Sequence, residues 1–289
     1  SDATLDIFEE FEKQHANIRL VKVKNNEAFW GSKKFALTLG IKAAKNEYLL
    51  FTDADCYPST DRWIMEMSSH FTTSKTIVLG YGAYEKIPNS FLNKIIRFET
   101  MLAAVQYFSW AKMGHPYMGV GRNLAYKKEE FFNARGFMSH MKIRSGDDDL
   151  FINEASTSKN TAICFSPGSF TYSEPKKTFK EWLAQKRRHV STAVHYKLFD
   201  KVQLAIFFCS QFLFFLSATV LLAFQFSWMA VIAVIIGRYA VCWISLGYAS
   251  NKLDEKDVMH WYPILEIALL FAQLHIFIIN IFSKPAHWK

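Results

Sequence analysis

The chain has 289 residues, a length that fits one large domain or two, and it carries a formal net charge of +8 at neutral pH. A surplus of this size suits a surface that faces anionic lipid or a phosphate-bearing substrate. The basic residues form no recognisable nucleic-acid recognition module, so we expect no nucleic-acid partner. The four cysteines show neither disulfide nor zinc-site spacing: Cys56, Cys164, Cys209 and Cys242.

Apolar residues are distributed unevenly along the chain. Residues 1–200 have the composition of a soluble α/β chain, whereas charge nearly disappears from Val202 onward. We therefore predict an α/β domain over residues 1–175, a basic amphipathic segment over 176–200 and a membrane domain over 201–289. The sequence begins without a methionine or an opening strand, so we expect a fragment that lacks its true N-terminus and the first strand of the fold.

The first half of the chain alternates between helical and strand-like patterns. These predict helices over 5–11, 29–44 and 63–71, and strands over 18–23, 48–51 and 76–81. The strand–helix–strand succession that ends at residue 51 predicts a parallel βαβ unit. Lys33 and Lys34 lie at the start of its helix, where a cation could meet a phosphate; solvated surface lysines are the alternative.

Two carboxylates follow the apolar run 48–51, which is typical of a buried central strand. Alternate residues of a strand face the same way, so Asp53 and Asp55 can point at one spot just past its end. Open α/β sheets bind ligands at this edge, and two hard oxygen donors suit Mg²⁺ or Mn²⁺, which would in turn hold a phosphate. A strand-end turn without any metal is the alternative, because Asp favours turns.

A long aromatic helix is predicted over 91–113, with core packing as the default for its apolar stripe and contact with a membrane surface as the alternative. A glycine-containing segment follows it. Its glycines, Gly121 among them, allow a close approach of backbone to ligand, and Arg122 and Asn123 could hold an anionic or hydroxylated group.

Three successive carboxylates, Asp147, Asp148 and Asp149, form the least ordinary stretch. Like charges this close repel one another, so at least one carboxyl should have a raised pKa and be able to accept a proton. A general base that deprotonates a hydroxyl needs that property. An acidic helix N-terminus stabilised by the helix dipole is the alternative, but the presence of Asp53 and Asp55 in the same domain favours a metal site paired with a base.

Residues 176–197 are basic and amphipathic, as in a helix that lies among lipid headgroups; a helix packed on the domain is the alternative. The apolar runs 202–226 and 228–250 are each long enough to cross a bilayer, and 263–282 is near the minimum. We therefore expect an integral membrane protein with about three transmembrane helices. Arg187 and its basic neighbours flank the first span, which favours a cytoplasmic catalytic domain.

Arg238 lies close to the middle of the second apolar run. An intramembrane arginine usually faces the interior of the helix bundle and has a partner. Counting along the helices from their shared loop places Gln273 and His275 at a similar depth and Glu266 near the surface. We therefore expect Arg238 to pair with Gln273 or His275.

Together these features resemble the membrane-bound members of glycosyltransferase family 2. Residues 31–41 and 48–55 look like the run into the family's Asp-x-Asp motif, and Gly121-Arg122-Asn123 looks like its acceptor-side segment. Residues 146–150 look like its Glu-Asp base motif, and Gln185-Lys186-Arg187-Arg188-His189 is similar to its Gln-x-x-Arg-Trp motif. Four motifs in the family's order are far more specific than one.

The resemblance implies a GT-A fold, a Rossmann-like mixed sheet that binds a nucleotide sugar, followed by C-terminal transmembrane helices. It also implies an inverting transfer to a lipid-linked or polysaccharide acceptor at a bacterial-type plasma membrane. The residues that it assigns are, by role, Asp148, Asp149 and Asp147 for the base; Asp55 with Asp53 for the metal; Asp53, Lys34, Gln185, Arg187 and Arg188 for the donor; and Gly121, Arg122, Asn123 and His189 for the acceptor.

Two departures from the family pattern stand out. Asp147 takes the place of the Glu in the base motif, which is conservative. His189 takes the place of the Trp in the last motif, which favours transfer of one or few sugars over processive synthesis. The competing hypotheses are a membrane protein that senses nucleotides without turnover, and a phosphoryl transferase, which would want a glycine-rich phosphate loop.

Overall fold

The computed structural model describes residues 3–23, 32–143 and 145–283. The helices in these ranges are α1 Thr4–Gln14, α2 Ser32–Ala43, α3 Trp63–Ser68, α4 Phe91–Lys112, α5 Lys128–Asn133, α6 Asp149–Ala155, α7 Phe179–Ala193, α8 Leu198–Ala223, α9 Trp228–Lys252, α10 Lys256–Met259 and α11 Tyr262–Phe282. The strands are β1 Tyr48–Phe51, β2 Cys56–Pro58, β3 Ile77–Leu79, β4 Gly82–Tyr84, β5 Leu124–Lys127, β6 Thr161–Ile163 and β7 Thr171–Ser173. Mixed α/β structure followed by long apolar helices confirms the predicted fold class.

The strands form two mixed sheets. In the larger one, with order β1-β5-β3-β6, β5 runs antiparallel to both neighbours and β3 is parallel to β6. In the smaller one, with order β2-β7-β4, β7 is antiparallel to β2 and parallel to β4. Because β1 leads into β2 through the turn that holds Asp53 and Asp55, this turn joins the two sheets.

The predicted βαβ unit is wrong in its first strand. Residues 18–23 form no strand, and the backbone N–H of Leu20 donates to the Glu12 carboxylate at 2.7 Å instead of to a sheet. Within the described ranges, β1 therefore lies at the edge of its sheet rather than in the centre, and its Tyr48 is half exposed. The apolar run had indicated a strand correctly but not its position.

Helix α4 is the main helix of the core. Ser90, just before the helix, caps its N-terminus: Ser90 Oγ accepts a hydrogen bond from Asn93 N. Residues along the whole length of the helix are buried, including Phe98, Met101 and Tyr107. The Tyr107 hydroxyl donates to the carbonyl of Gly80 at 2.8 Å, beside β3. Core packing, the default interpretation of its stripe, is confirmed.

Three helices, α8, α9 and α11, are long and apolar enough to cross a membrane. The predicted partner of Arg238 was wrong: its guanidinium donates to Glu266 Oε2 at 3.0 Å, and the rings of Phe214 and Phe215 lie over it. The depth count had assumed that α9 and α11 start level with each other at their loop. In the structure the loop turns back, so the Tyr262 ring at the start of α11 lies 5.6 Å from that of Tyr239 in the middle of α9.

The loop between α9 and α11 is held to the α/β part of the chain by a buried ion pair. Arg97 of α4 donates through Nε to Glu255 Oε2 at 2.8 Å and through Nη1 to Asp257 Oδ2 at 2.8 Å. The side chains of Arg97 and Glu255 are each 2% exposed. A second pair, Lys86 with Asp254, spans the same junction at 2.8 Å, but its side chains are 42% and 56% exposed.

These two pairs differ in burial, which predicts different contributions to stability. Arg97→Ala leaves a buried carboxylate without its partner, and we expect it to lower the free energy of unfolding by about 3–5 kcal/mol. Lys86→Ala removes a solvated pair and should cost less than about 1 kcal/mol. Unfolding of both variants in the same detergent measures the difference; equal losses would show that the buried pair does not hold the junction.

Candidate active site

The two carboxylates after β1 lie on a tight turn. Cys56 N donates to the carbonyl of Asp53 at 3.0 Å, which closes this turn, so the backbone matches the turn alternative. Asp53 is half-buried and Asp55 is exposed. A turn and a metal site are compatible here, because the turn leaves both carboxylates at the end of β1.

Lys33, in the first turn of α2, links this turn to the acidic run. Its Nζ lies 3.0 Å from Asp53 Oδ1 and 2.9 Å from Asp147 Oδ2. Burial disfavours the charged ammonium, but the neighbouring Asp147 and Asp53 outweigh it, and the pKa of Lys33 is raised. Lys33 therefore carries a positive charge between two parts of the chain that supply carboxylates.

The position of Lys34 does not match the donor-binding role predicted for it. Its side chain is buried, and Nζ donates to the carbonyls of His140 and Ile143 at 2.8 Å each and lies 2.9 Å from His140 Nδ1. These contacts use the donors of the ammonium, which leaves none for a donor substrate. The sequence had offered Lys33 and Lys34 together, and the structure brings Lys33 to the site.

The three carboxylates of the acidic run have three different environments. Asp147 is ion-paired with Lys33. Asp149 Oδ2 accepts hydrogen bonds from the hydroxyls of Thr192 and Tyr196, on and just beyond α7. Asp148 caps α6: its Oδ1 accepts from Asp149 N at 2.8 Å, and its Oδ2 accepts from Gly121 N at 2.7 Å. Asp148 is a helix cap and also stays a candidate base, so both alternatives left open by the sequence apply to it.

The environment of Asp148 favours its neutral form. Burial, followed by the charges of Asp147 and Asp149, raises the pKa of Asp148 to about 7, although the hydrogen bond from Gly121 and the charge of Lys33 oppose the shift. Burial also raises the pKa of Asp149, against the hydrogen bonds that it accepts. A carboxyl with a pKa near 7 is suited to accept a proton at neutral pH.

The segment Gly121-Arg122-Asn123 is built mainly into the protein. Gly121 brings its backbone N–H to Asp148, and a Cβ at this position would lie 3.2 Å from Asp148 Oδ2. Arg122 Nη1 donates to the carbonyl of Ala83 at 3.0 Å, and the guanidinium lies 4.3 Å from the centre of the Tyr84 ring. The segment therefore positions Asp148 and is anchored to β4 through Arg122.

Asn123 is fully buried. Its Nδ2 donates to the carbonyls of Tyr81 and Ser169 at 2.9 and 2.6 Å, and its Oδ1 accepts from Trp63 Nε1 at 3.1 Å. These bonds join α3 to the connection between β3 and β4 and to the segment just before β7. The acceptor role predicted for Asn123 is not apparent in this arrangement, because its amide group is used inside the core.

Helix α7 contains the last motif, residues 185–189. A capping box starts it: Thr178 Oγ1 accepts from Glu181 N, and the Glu181 carboxylate accepts from Thr178 N. Trp182 is buried, so α7 is packed on the domain, which was the alternative to a helix among lipid headgroups. Thr192, which was missed from the sequence, anchors the end of α7 to Asp149; a lone threonine in a basic helix gives no signal of this role.

The predicted donor and acceptor residues of α7 face different neighbours. Gln185 Nε2 donates to the Tyr84 hydroxyl at 3.4 Å, and its Oε1 is buried without a hydrogen-bond partner among the described residues. Arg187 is directed to the end of α11, where Nε donates to Asn280 Oδ1 at 2.9 Å, so it is not brought to the carboxylates. Burial lowers the pKa of Arg188. The next residue, His189, is accessible to solvent.

The carboxylate oxygens of Asp53 and Asp55 suit a divalent metal that is held partly by the substrate. No cluster of three or more metal-ligating side chains exists in ranges 3–23, 32–143 and 145–283, so the protein forms no closed cage there. Mg²⁺ and Mn²⁺ prefer hard oxygen ligands, and Mg²⁺ is usually held by one or two carboxylates plus substrate phosphates. The residues present match that requirement.

The family model "Glycosyl transferase family 2" matches residues 1–145, half of the chain. The chain belongs to glycosyl transferase family 2. No curated protein matches it. Among solved structures it is similar to the mannosyltransferase PcManGT from Pyrobaculum calidifontis in complex with GDP-Man and Mn²⁺, with a TM-score of 0.51 and 15% identity over 94% of this chain and 75% of that one. At that identity the likeness shows the shared GT-A fold, which confirms the expected fold.

The contact between Gly121 and Asp148 gives a prediction for this glycosyltransferase. Gly121→Ala places a methyl group 3.2 Å from Asp148 Oδ2, so the carboxylate must shift by a few tenths of an ångström. Because a 1 Å misplacement costs on the order of 10²-fold in rate, we expect transfer to fall by about 10-fold. Gly40→Ala in α2 is the control: nothing lies within 4 Å of its Cβ, and activity should be unchanged. Equal activities of the two variants, measured as turnover, would contradict the positioning role of Gly121.

Proposed function

We propose that the protein is an inverting, metal-dependent glycosyltransferase that moves one sugar, or very few, from a nucleotide sugar to a membrane-associated acceptor. The acceptor is a lipid-linked sugar or a growing cell-envelope polysaccharide. The observation that carries the proposal is Asp148, a carboxyl with a raised pKa held by Gly121 N beside the Lys33-linked turn of Asp53 and Asp55. Membership of family 2 supports glycosyl transfer itself.

The chemistry assigns each carboxylate a role. Asp148 accepts the proton of the acceptor hydroxyl as the hydroxyl oxygen attacks the anomeric carbon. The nucleotide diphosphate leaves from the opposite face, so the configuration at that carbon is inverted. Asp149, fixed by Thr192 and Tyr196, does not contact the substrate in this scheme but positions the helix that carries Asp148.

Cationic groups near the turn would receive the leaving diphosphate. A bound Mg²⁺ or Mn²⁺, held by Asp55 and Asp53, would neutralise charge on the diphosphate. The Lys33 ammonium lies 3.0 Å from Asp53 and adds positive charge at the same place. Arg188 and Gln185 of α7 are proposed to contact the phosphates. Lys34 is not included, because it is buried against the carbonyls of His140 and Ile143, and Arg187 is not included, because it contacts the end of α11.

The acceptor side rests on α7. His189 is accessible to solvent one residue after Arg188, and we propose that it contacts the incoming acceptor. An imidazole offers a smaller and more polar face than the indole of the family motif, and it holds a sugar ring less firmly. Release after one transfer follows from the weaker contact.

We place the catalytic domain in the cytoplasm, on the inner face of a bacterial-type plasma membrane. Nucleotide sugars are made there, and the basic residues Lys186, Arg187 and Arg188 lie next to α8, as the positive-inside rule requires. A nucleotide-sensing protein without turnover is the second candidate. It would bind nucleotide with metal but would not need a proton acceptor, and it gives no reason for the environment of Asp148.

The base assignment predicts the effect of two matched substitutions. Asp148→Asn keeps the shape of the side chain but removes its ability to accept a proton, so turnover should fall by about 10² to 10⁴ while donor affinity is retained. Asp149→Asn should cost less turnover, because it acts only through positioning, but should lower the unfolding temperature. The opposite order of turnover would move the base to Asp149.

The pH dependence is an internal check on the same prediction. The ionised fraction of Asp148 rises with pH through its pKa of about 7, so the turnover of the wild type should increase across that pH and level off above it. Residual turnover of Asp148→Asn should lack this rise. A wild-type profile that is flat between pH 6 and pH 8 would contradict the assignment.

The proposed reaction itself is tested with membranes that contain the protein. A panel of radiolabelled nucleotide sugars is supplied, lipid is extracted, and the product is separated by chromatography. We expect label from one donor in a short, discrete product, lost reversibly on chelation and lost in Asp55→Asn. The control Asp61→Asn changes an exposed carboxylate outside the turn and should stay active.

Each alternative outcome of this experiment is informative. Nucleotide binding without labelled product would support the sensing protein. Activity in excess chelator would contradict the metal assignment. A ladder of products from the wild type would contradict transfer of a single sugar.

A further inference from the structure

Helix α11 begins against the catalytic domain. The ring of its first residue, Tyr262, lies 5.8 Å from that of Phe98 in α4, and the Trp261 ring just before it lies 5.6 Å from Lys94 Nζ. Leu265 and Leu269, one and two turns on, are 0% and 5% exposed. The first half of α11 is thus packed on α4 and does not lead away from it.

Helix α11 also ends against the catalytic domain. Arg187 of α7 donates through Nε to Asn280 Oδ1 at 2.9 Å and through Nη2 to the Ser283 carbonyl at 2.8 Å. Helix α7 itself belongs to that domain, since Trp182 is 1% exposed and Thr192 donates to Asp149. Both ends of α11 therefore contact the same domain.

This double contact does not fit a transmembrane orientation. The 21 residues of α11 span about 31 Å at 1.5 Å per residue, which is close to the thickness of the hydrocarbon core, about 30 Å. A helix that left the domain and crossed the bilayer would have its far end at the opposite surface, out of reach of Arg187. The axis of α11 must instead run along the surface of the domain.

The opposite face of α11 is apolar and uncovered. Ile264, Phe271 and Ile278 are 53%, 67% and 47% exposed, and at intervals of seven residues they lie on one side of the helix. The neighbouring α8 is equally apolar and is not buried against protein over its most hydrophobic window. Helix α8 contacts α11 through Phe208 and Phe277, so the apolar surfaces of the two helices are continuous.

We propose that α11 is an in-plane membrane helix: its face of Ile264, Phe271 and Ile278 binds the bilayer on the side of the catalytic domain, and α8 and α9 alone cross. The sequence had indicated a third crossing, because length and composition do not distinguish a helix covered by protein on one face from a helix surrounded by lipid. Ser283 then lies on the same side as the catalytic domain. Through Arg187, α11 holds α7 and its motif at the bilayer surface, where a lipid-linked acceptor would be reached.

The depth of nitroxide labels in vesicles of phosphatidylethanolamine and phosphatidylglycerol tests this proposal. Single cysteines replace Ile264, Phe271 and Ile278 in one set of full-length chains whose native cysteines are replaced by alanine. The matched set on α8 is Ile206, Leu213 and Val220, which have the same spacing and are 63%, 54% and 44% exposed. The outer labels of each set are about 21 Å apart along the helix. Variants are used when their unfolding temperature matches that of the parent.

The expected result is a steep change of depth along α8 and less than half that change along α11. A gradient on α11 of at least half that on α8 would overturn the proposal. So would spin–spin broadening at the α11 positions, because it would show that a second copy of the chain covers this face. Sidedness gives an independent check: Lys256→Cys and Phe282→Cys should react with an impermeant maleimide from the same side of the membrane, and reaction from opposite sides would restore the third crossing.

Discussion

The site depends on one cation among several carboxylates. Asp53 and the run Asp147 to Asp149 would repel one another, and Lys33 joins the two groups through contacts of 3.0 and 2.9 Å. The rotation of α2 makes this possible. Lys34, the next residue, is fixed inside the core by the carbonyls of His140 and Ile143, and adjacent helix residues are about 100° apart, so Lys33 must face the carboxylates.

Helix α7 connects this charged centre to the long apolar helices. Its Thr192 holds Asp149, its Lys186 pairs with Glu99 of α4, and its Arg187 holds the end of α11. Two residues before Glu99 on α4, Arg97 holds the loop between α9 and α11. The apolar helices are therefore attached to the catalytic domain at two separate places, which limits how far the site can move relative to these helices.

The sequence predicted what local patterns determine and missed what depends on tertiary placement. The helices α4 and α7, the long apolar helices and the order of the motifs follow from periodicity and composition. Residues 18–23 alternate like a strand, but Glu12 takes the Leu20 N–H, which no pattern shows. The partner of Arg238 was missed because the loop turns back where Arg97 holds it. The burial of Lys34 was missed for a similar reason, since the sequence does not fix the rotation of a helix.

The proposed base shows how geometry distinguishes residues that the sequence leaves equivalent. Three identical residues in a row give no reason to prefer one, and repulsion predicts only that some pKa among them is raised. Lys33 neutralises Asp147, and two hydroxyls occupy Asp149 Oδ2. Asp148 is bound only by the backbone N–H groups of Gly121 and Asp149 among the contacts found in the described residues. These contacts, combined with a pKa of about 7, are the reason for proposing Asp148 rather than its neighbours as the proton acceptor.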